Sequence, residues 1–142
     1  GHILPVLPTY KRFPGMEGAV YYYYEAYDNP VNNWLVEEHQ KRFDGPPDFF
    51  TAGGMTAALA VVKALETAES YETEDLIAAM EGMSWETPKG EMTFRPEDHQ
   101  ALQSMVHFKI RVDDNVDWAI PDLVRIIEAD EMDIPIGRDN SQ

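Results

Sequence analysis

Met83 to Ile110 reads MSWETPKGEMTFRPEDHQALQSMVHFKI, and the turn chemistry inside it decides how the rest of the chain is read. Thr87-Pro88-Lys89-Gly90 offers Pro where a turn wants a preset φ and Gly two residues later where φ can turn positive, so a β-turn is expected there. Beyond it Met92 and Phe94 alternate with polar neighbours. After a polar loop, Arg95 to Gln103, a second alternating run sets Met105, His107, Lys109 and Arg111 against Val106, Phe108, Ile110 and Val112. The pattern predicts two strands joined by a wide loop, which by itself is an ordinary hairpin without chemistry of its own.

Upstream, Ala19 to Tyr24 (AVYYYY) is a continuous β-branched and aromatic run, too short for a helix and suited to a buried or half-buried strand. Its tyrosines are expected to pack their ring faces while their hydroxyls find partners near the surface. Tyr24 would close the strand, and in parallel α/β sheets ligands gather outside the carboxyl ends of strands. Asn29 and Pro30 then supply an N-cap and a first helical residue. Val31, Leu35, His39 and Phe43 follow at four-residue spacing with Trp34 and Val36 beside them, and Gly45 with the Pro pair stops the helix.

Thr51 to Ala68 is rich in Ala, Leu and Val nearly all round, which predicts a buried helix. Gly53-Gly54 near its start costs about 1 kcal/mol per Gly relative to Ala, so a close neighbour or a ligand is expected to use the missing side chains. Thr73 is placed to cap a third helix, with Glu74 and Asp75 at its positive end, Leu76, Ile77, Ala79 and Met80 on its inner face, and Gly82 at its end. Asp113 to Asp117 reads as an acidic turn, Pro121 to Ala129 as a short final helix, and Asp130 to Gln142 as an acidic tail without a strong pattern.

The 142 residues, 44% of them hydrophobic, are of single-domain size. A formal charge of −15, from 26 acidic against 11 basic residues, argues against a nucleic-acid partner, because such binding rests on neutralising phosphates with clustered Lys and Arg. There is no cysteine, hence no disulfide and no thiolate site. No run of about 18 apolar residues stands out as a membrane span. The chain opens on Gly1-His2 rather than Met and shows no basic-then-apolar leader, which suggests a trimmed start.

Catalysis needs a nucleophile or a paired acid and base in a cleft. His39, His99 and His107 are scattered over different elements, and no nucleophile elbow, zinc-protease motif or phosphate-cradling Gly loop is present. An enzyme is therefore not expected, nor is a cofactor. Asp113-Asp114-Asn115-Val116-Asp117 matches the opening of a calcium loop, but Trp118 stands where Gly is needed and Val124 where the closing Glu should be. No metal site is expected.

The wording Thr-Pro-x-Gly-x-Met-x-Phe followed by Asp98-His99-Gln100 resembles the C-terminal part of solute-binding proteins that serve ABC importers of the branched-chain amino acid class. The upstream order is similar too: Glu17-Gly18-Ala19-Val20, Asn29-Pro30, Gly45-Pro46-Pro47-Asp48, then Thr51 to Ala68 and Glu74 to Gly82. The resemblance covers roughly residues 15 to 127. It implies an α/β fold: a partial type I periplasmic-binding-protein (Rossmann-like) lobe with a C-terminal β-hairpin and short helix. Residues 15–129 would be the C-terminal part of the solute-binding domain, after a leading segment, 1–14, and before the tail, 130–142.

In that family two lobes hold the ligand in a cleft, and the Asp-x-aromatic before the crossing helix contributes a cleft wall. The resemblance therefore assigns ligand binding to Phe50, with Phe49 at the variable position; Tyr24, from its expected place at a strand end, is the second candidate. The frequent Tyr-Asp-Ala of this helix is Met55-Thr56-Ala57 here, so its hydrogen bonds do not carry over. Implied partners are a small amino-acid-like or organic-acid ligand and ABC permease subunits, in an extracytoplasmic setting with a lipid anchor as one option. Apolar surface normally covered by the other lobe would favour self-association. The alternative implied by the same fold is a ligand-sensing regulatory domain.

Overall fold

The computed structural model describes residues 3–137; Gly1-His2 and the tail beyond Gly137 lie outside the described residues. A 3-10 turn (Leu4–Val6) and α1 (Leu7–Tyr10) lead into β1 (Glu17–Val20), α2 (Pro30–Phe43), α3 (Phe49–Thr67) and α4 (Thr73–Met80). Then follow β2 (Ser84–Thr87), β3 (Gly90–Phe94), β4 (Ala101–Leu102), β5 (Met105–Arg111), β6 (Ile120–Ile127) and a 3-10 turn (Ala129–Glu131). The strands form two three-stranded sheets, β1-β5-β6 and β2-β3-β4, with every described pairing antiparallel.

The turn at 87–90 forms as its residues dictate. Thr87 pairs with Gly90, whose φ is +91°, and the Thr87 hydroxyl accepts from the Lys89 N–H (3.0 Å) and donates to the Gly90 carbonyl (2.7 Å). The two alternating runs do not pair with each other, however. Ser84–Thr87 also alternates, with Trp85 and Thr87 buried, so the hairpin closes on the upstream side. β3 takes β4 as its other partner, and β5 goes to the other sheet.

Two further expectations need correction. The strand of the AVYYYY run stops at Val20; beyond it the Tyr23 carbonyl accepts from the Ala26 N–H and the Tyr24 carbonyl from the Asn32 amide, so the backbone turns away from the ladder. Tyr24 therefore does not end a parallel strand. Pro121 to Ala129 is mostly strand rather than helix: β5 offers a full edge, and the β-branched Val124, Ile126 and Ile127 suit a ladder running from Arg111–Ile120 to Met105–Ile127. His107 faces Arg125 and Phe108 faces Leu123, so Val124 is the extra residue of a bulge.

α2 starts as expected, with the Asn29 side chain accepting from Asn32 N–H (2.9 Å) and Pro30 in the first turn; it ends at Asp44, in the left-handed conformation (φ 53°), one residue before Gly45. Its inward residues are Asn32 and Leu35, whereas Trp34 and Phe43 are exposed. α3 starts two residues earlier than expected, since Asp48 is the cap: its carboxylate accepts from the Thr51 N–H (2.9 Å) and hydroxyl (3.2 Å).

Nor is α3 buried all round. Ala52, Thr56, Ala60 and Ala64 form one buried stripe at four-residue spacing, while Val61, Val62 and Leu65 are exposed. By length and composition alone α3 could cross a bilayer, contrary to the sequence expectation; in this fold its alanine stripe packs on β2 and α4. Gly53 faces the Tyr21 hydroxyl, 4.0 Å from where a Cβ would stand, and Gly54 faces open space.

Two cores result. Ile3, Leu7, Val20, Tyr22, Tyr23, Tyr27, Leu35, Ala52, Val106, Phe108, Ile110 and Ala119 bury against one another around the first sheet. Ala60, Ala64, Met83, Trp85 and Met92 do so between α3 and the second. The tail then returns from the first sheet to the second. Arg95 donates to the carbonyls of Ile134 (2.8 Å) and Pro135 (2.9 Å), and Asp98, doubly bonded to Arg95 (2.8 and 2.6 Å), accepts from the Gly137 N–H (2.7 Å).

Candidate functional site

The chain leaves the first sheet through Tyr21 to Asn29, passes back to it at Gln103-Ser104, and crosses once more in the tail. The first passage is held by Asn32, which is 1% exposed. The Tyr22 hydroxyl donates to its side-chain oxygen (2.7 Å), and its amide donates to the carbonyls of Tyr24 (2.9 Å) and Tyr27 (2.7 Å). Tyr27 stacks on Tyr22 with centroids 6.1 Å apart, and its hydroxyl bonds the Ser104 hydroxyl at 3.2 Å, which ties the two passages together. Burial raises the phenol pKa of Tyr22 and Tyr23 and pushes Tyr27 up to about 12, so these rings stay neutral at physiological pH.

The β2–β3 hairpin plugs into this region tip first. Thr87, Pro88 and Lys89 are all buried, where a hairpin tip ordinarily meets water. Asn29 donates to the Pro88 carbonyl (3.1 Å). The Lys89 amine, on a residue 5% exposed, donates to Gln103 Oε1 (2.9 Å) and sits 3.8 Å above the centre of the Tyr21 ring. Burial pushes this amine down to about 7, while the ring face and the amide oxygen favour its charged form. The sequence placed Lys89 at the variable turn position; only the burial of the turn, which is a tertiary property, gives it away.

From Tyr21 a row of rings leads outward. Phe49 meets Tyr21 edge-on at 4.9 Å and 84°, and Phe50 lies tilted against Phe49 at 4.7 Å. Phe50, in the first turn of α3, is 68% exposed and heads this row. Tyr24 belongs to a different cluster: it packs on Tyr23 at 5.0 Å, and both hydroxyls donate to the Glu25 carboxylate, at 2.9 and 3.2 Å. Hollows occur elsewhere, for instance an apolar one of about 110 Å³ among Ile77, Met80, Phe94 and His99.

The histidines are dispersed as their spacing suggested: His39 bonds the Gly45 carbonyl (2.7 Å), His99 pairs with Glu81 (3.0 Å) and His107 with Glu17 (3.1 Å). In the acidic turn Asp113 Oδ1 accepts from the backbone and side-chain amides of Asn115, at 2.9 and 2.8 Å. Among the described residues no group of three or more His, Asp or Glu is placed to hold a metal.

Two sheets are joined at a hydrogen-bonded waist, and an aromatic row opens beside it. The profile of the periplasmic binding protein family matches residues 5–115, and the chain belongs to that family. The family's periplasmic character implies an extracytoplasmic location. A crystal structure described as an ABC-type branched-chain amino acid transporter from Rhodopseudomonas palustris CGA009 is 63% identical, with a TM-score of 0.92 over 100% of this chain and 38% of that one.

A solute-binding protein of an ABC transporter from Rhodopseudomonas palustris BisB5, in complex with 3,4-dihydroxybenzoic acid, is 28% identical with a TM-score of 0.68, over 82% of this chain and 31% of that one. Leu/Ile/Val-binding protein homolog 6 of Brucella abortus (strain 2308) is 26% identical over 90 residues, which are 61% of this chain and 23% of that protein. The chain thus spans between about a quarter and two fifths of the length of these relatives. Its fold is a partial lobe of this α/β class, as the resemblance implied.

Proposed function

We propose that this chain is the C-terminal portion of an extracytoplasmic substrate-binding subunit, one that takes up a small amino-acid-like or organic-acid ligand for import through an ABC permease. The observation that carries this reading is the likeness over the whole chain, at 63% identity, to the Rhodopseudomonas palustris structure described as a branched-chain amino acid transporter. The relative holding 3,4-dihydroxybenzoic acid widens the ligand class to small aromatic carboxylates. Binding proteins of this kind act by closure of lobes about a hinge, and the bonded passages at Tyr21 to Asn29 and Gln103-Ser104 suit that role. The family is one of transport proteins rather than an enzyme class.

In this reading residues 15–129 carry the binding portion, between the leading segment 1–14 and the tail 130–142. Phe50 provides an apolar wall for the ligand, supported by its exposure at the end of the ring row, and Tyr24 is a secondary contact. The exposed Val61, Val62 and Leu65 favour self-association of the 142-residue chain, and a lipid anchor would hold the full-length protein near its permease. Calorimetry on the full-length protein with L-leucine, L-valine and 3,4-dihydroxybenzoate tests the reading. Saturable binding of at least one at micromolar affinity is expected, and the absence of heat with all three would refute the ligand class.

A further inference from the structure

A lysine between Pro and Gly in a two-residue turn ordinarily points into water, where its charge is solvated. Lys89 instead points into the waist, and its two partners belong to different passages of the chain: the Tyr21 ring to the first, the Gln103 amide to the second. Among the described residues no carboxylate forms an ion pair with it. The Tyr21 ring that carries the amine on its face carries Phe49 in edge contact, and Phe49 carries Phe50. We propose that Lys89 is a positioning residue for ligand binding, whose protonated amine orients the Tyr21–Phe49–Phe50 row while pinning both passages to the hairpin tip. The proposal rests on the reading of Phe50 as a ligand wall.

A protonated amine is attracted to the negative face of the Tyr21 ring, and a neutral amine is not. Because burial brings the titration of Lys89 down to about 7, the clasp loosens within the range over which extracytoplasmic proteins work. The groups packed around the amine leave it as the titrating member. From the first passage comes the Tyr21 phenol, whose pKa burial raises, so it stays neutral. From the second comes the uncharged Gln103. On the hairpin, Thr87 and Gly90 flank it, and Glu86 and Glu91, paired across the strands, are exposed. On α3 the Phe49 ring lies against the Tyr21 ring, and at the cap the Asp48 carboxylate accepts from Thr51. Ligand affinity is therefore highest with the amine protonated and falls as pH rises through its titration.

The test uses the full-length protein, with Lys89→Met and Lys89→Arg beside the wild type. Affinity for L-leucine and 3,4-dihydroxybenzoate is measured by calorimetry from about pH 6 to about pH 9, a window that brackets the titration. The ring resonances of Phe49 and Phe50 are followed by NMR over the same range without ligand. Wild-type affinity should fall by about fivefold across the window, the size expected for loss of one partly buried cation–ring contact. Lys89→Met should bind at every pH as the wild type does at the alkaline end, and Lys89→Arg should keep the tighter affinity with a flat profile. The Phe50 resonances should move with the wild-type titration and stay still in Lys89→Met. A Lys89→Met protein with the wild-type pH profile, or Phe50 resonances identical in the two proteins at low pH, overturns the proposal. If neither probe binds, the ligand reading fails and the resonances alone decide whether Lys89 positions the row.

Discussion

The two halves of the molecule are held together in opposite ways. Around the first sheet the core is made of large side chains, and its polar atoms are tied across the waist: Tyr22 to Asn32, Asn32 to two carbonyls, Tyr27 to Ser104. Around the second sheet the core is a stripe of alanines on α3 that lets Trp85 and Met92 come close, with the Trp85 indole N–H donating to the Thr56 carbonyl at 3.1 Å. The outer side of that same helix shows Val61, Val62 and Leu65 to solvent. One half specifies its geometry by hydrogen bonds that only one arrangement satisfies; the other relies on close approach of small residues and leaves a face open. The contrast puts the directional interactions where the chain passes between the two sheets.

That contrast can be broken most forcefully at Asn32. Asn32→Ala would strand the Tyr22 hydroxyl and the carbonyls of Tyr24 and Tyr27 in a buried site. The loss in unfolding free energy should be about 3 kcal/mol, read by urea denaturation of the full-length protein. A loss under about 0.5 kcal/mol, the ordinary effect of a surface change, would mean that the waist is not held by this network.

A smaller effect sharpens the link between halves that the tail supplies. The Arg95 guanidinium beside Asp98, with the Gly137 and Gln100 amides, holds the Asp98 carboxyl well below its ordinary 3.8. A carboxylate whose folded pKa is depressed stabilises the fold above its unfolded value and loses that contribution as pH falls toward the folded one. The Gly137 amide should accordingly be protected from hydrogen exchange at neutral pH and lose protection progressively below about pH 4. In Asp98→Asn the protection should be weak at every pH. Equal protection in both proteins would show that the strap does not depend on this carboxylate.

Local features of the fold were legible in the sequence because their causes are local. The Pro-x-Gly turn, the Asn29 and Pro30 helix start and the positive φ of Gly82 that ends α4 each follow from a few adjacent residues. Strand partners did not, since pairing depends on which edges are free: β3 and β5 share a pattern yet lie in different sheets. β6 was missed because its exposed Leu123 and Val124 erase the alternation that marks a half-buried strand. Lys89 was hidden for a similar reason, as nothing in a Pro-Lys-Gly turn signals that the turn is buried. The family order of motifs carried Phe50 to the entrance of a helix; the row of rings it heads, Tyr21–Phe49–Phe50, depends on tertiary packing and was not legible.

The measurement that bears most directly on the account is the ligand affinity and melting temperature of Phe50→Ala, compared with the wild-type full-length protein. Burying an apolar ring against a ligand is worth on the order of 1.5–3 kcal/mol, so affinity should weaken by roughly tenfold to a hundredfold. Because the ring is largely exposed in this chain, the melting temperature should change little. Unchanged affinity together with markedly earlier melting would contradict the account and make Phe50 a packing residue.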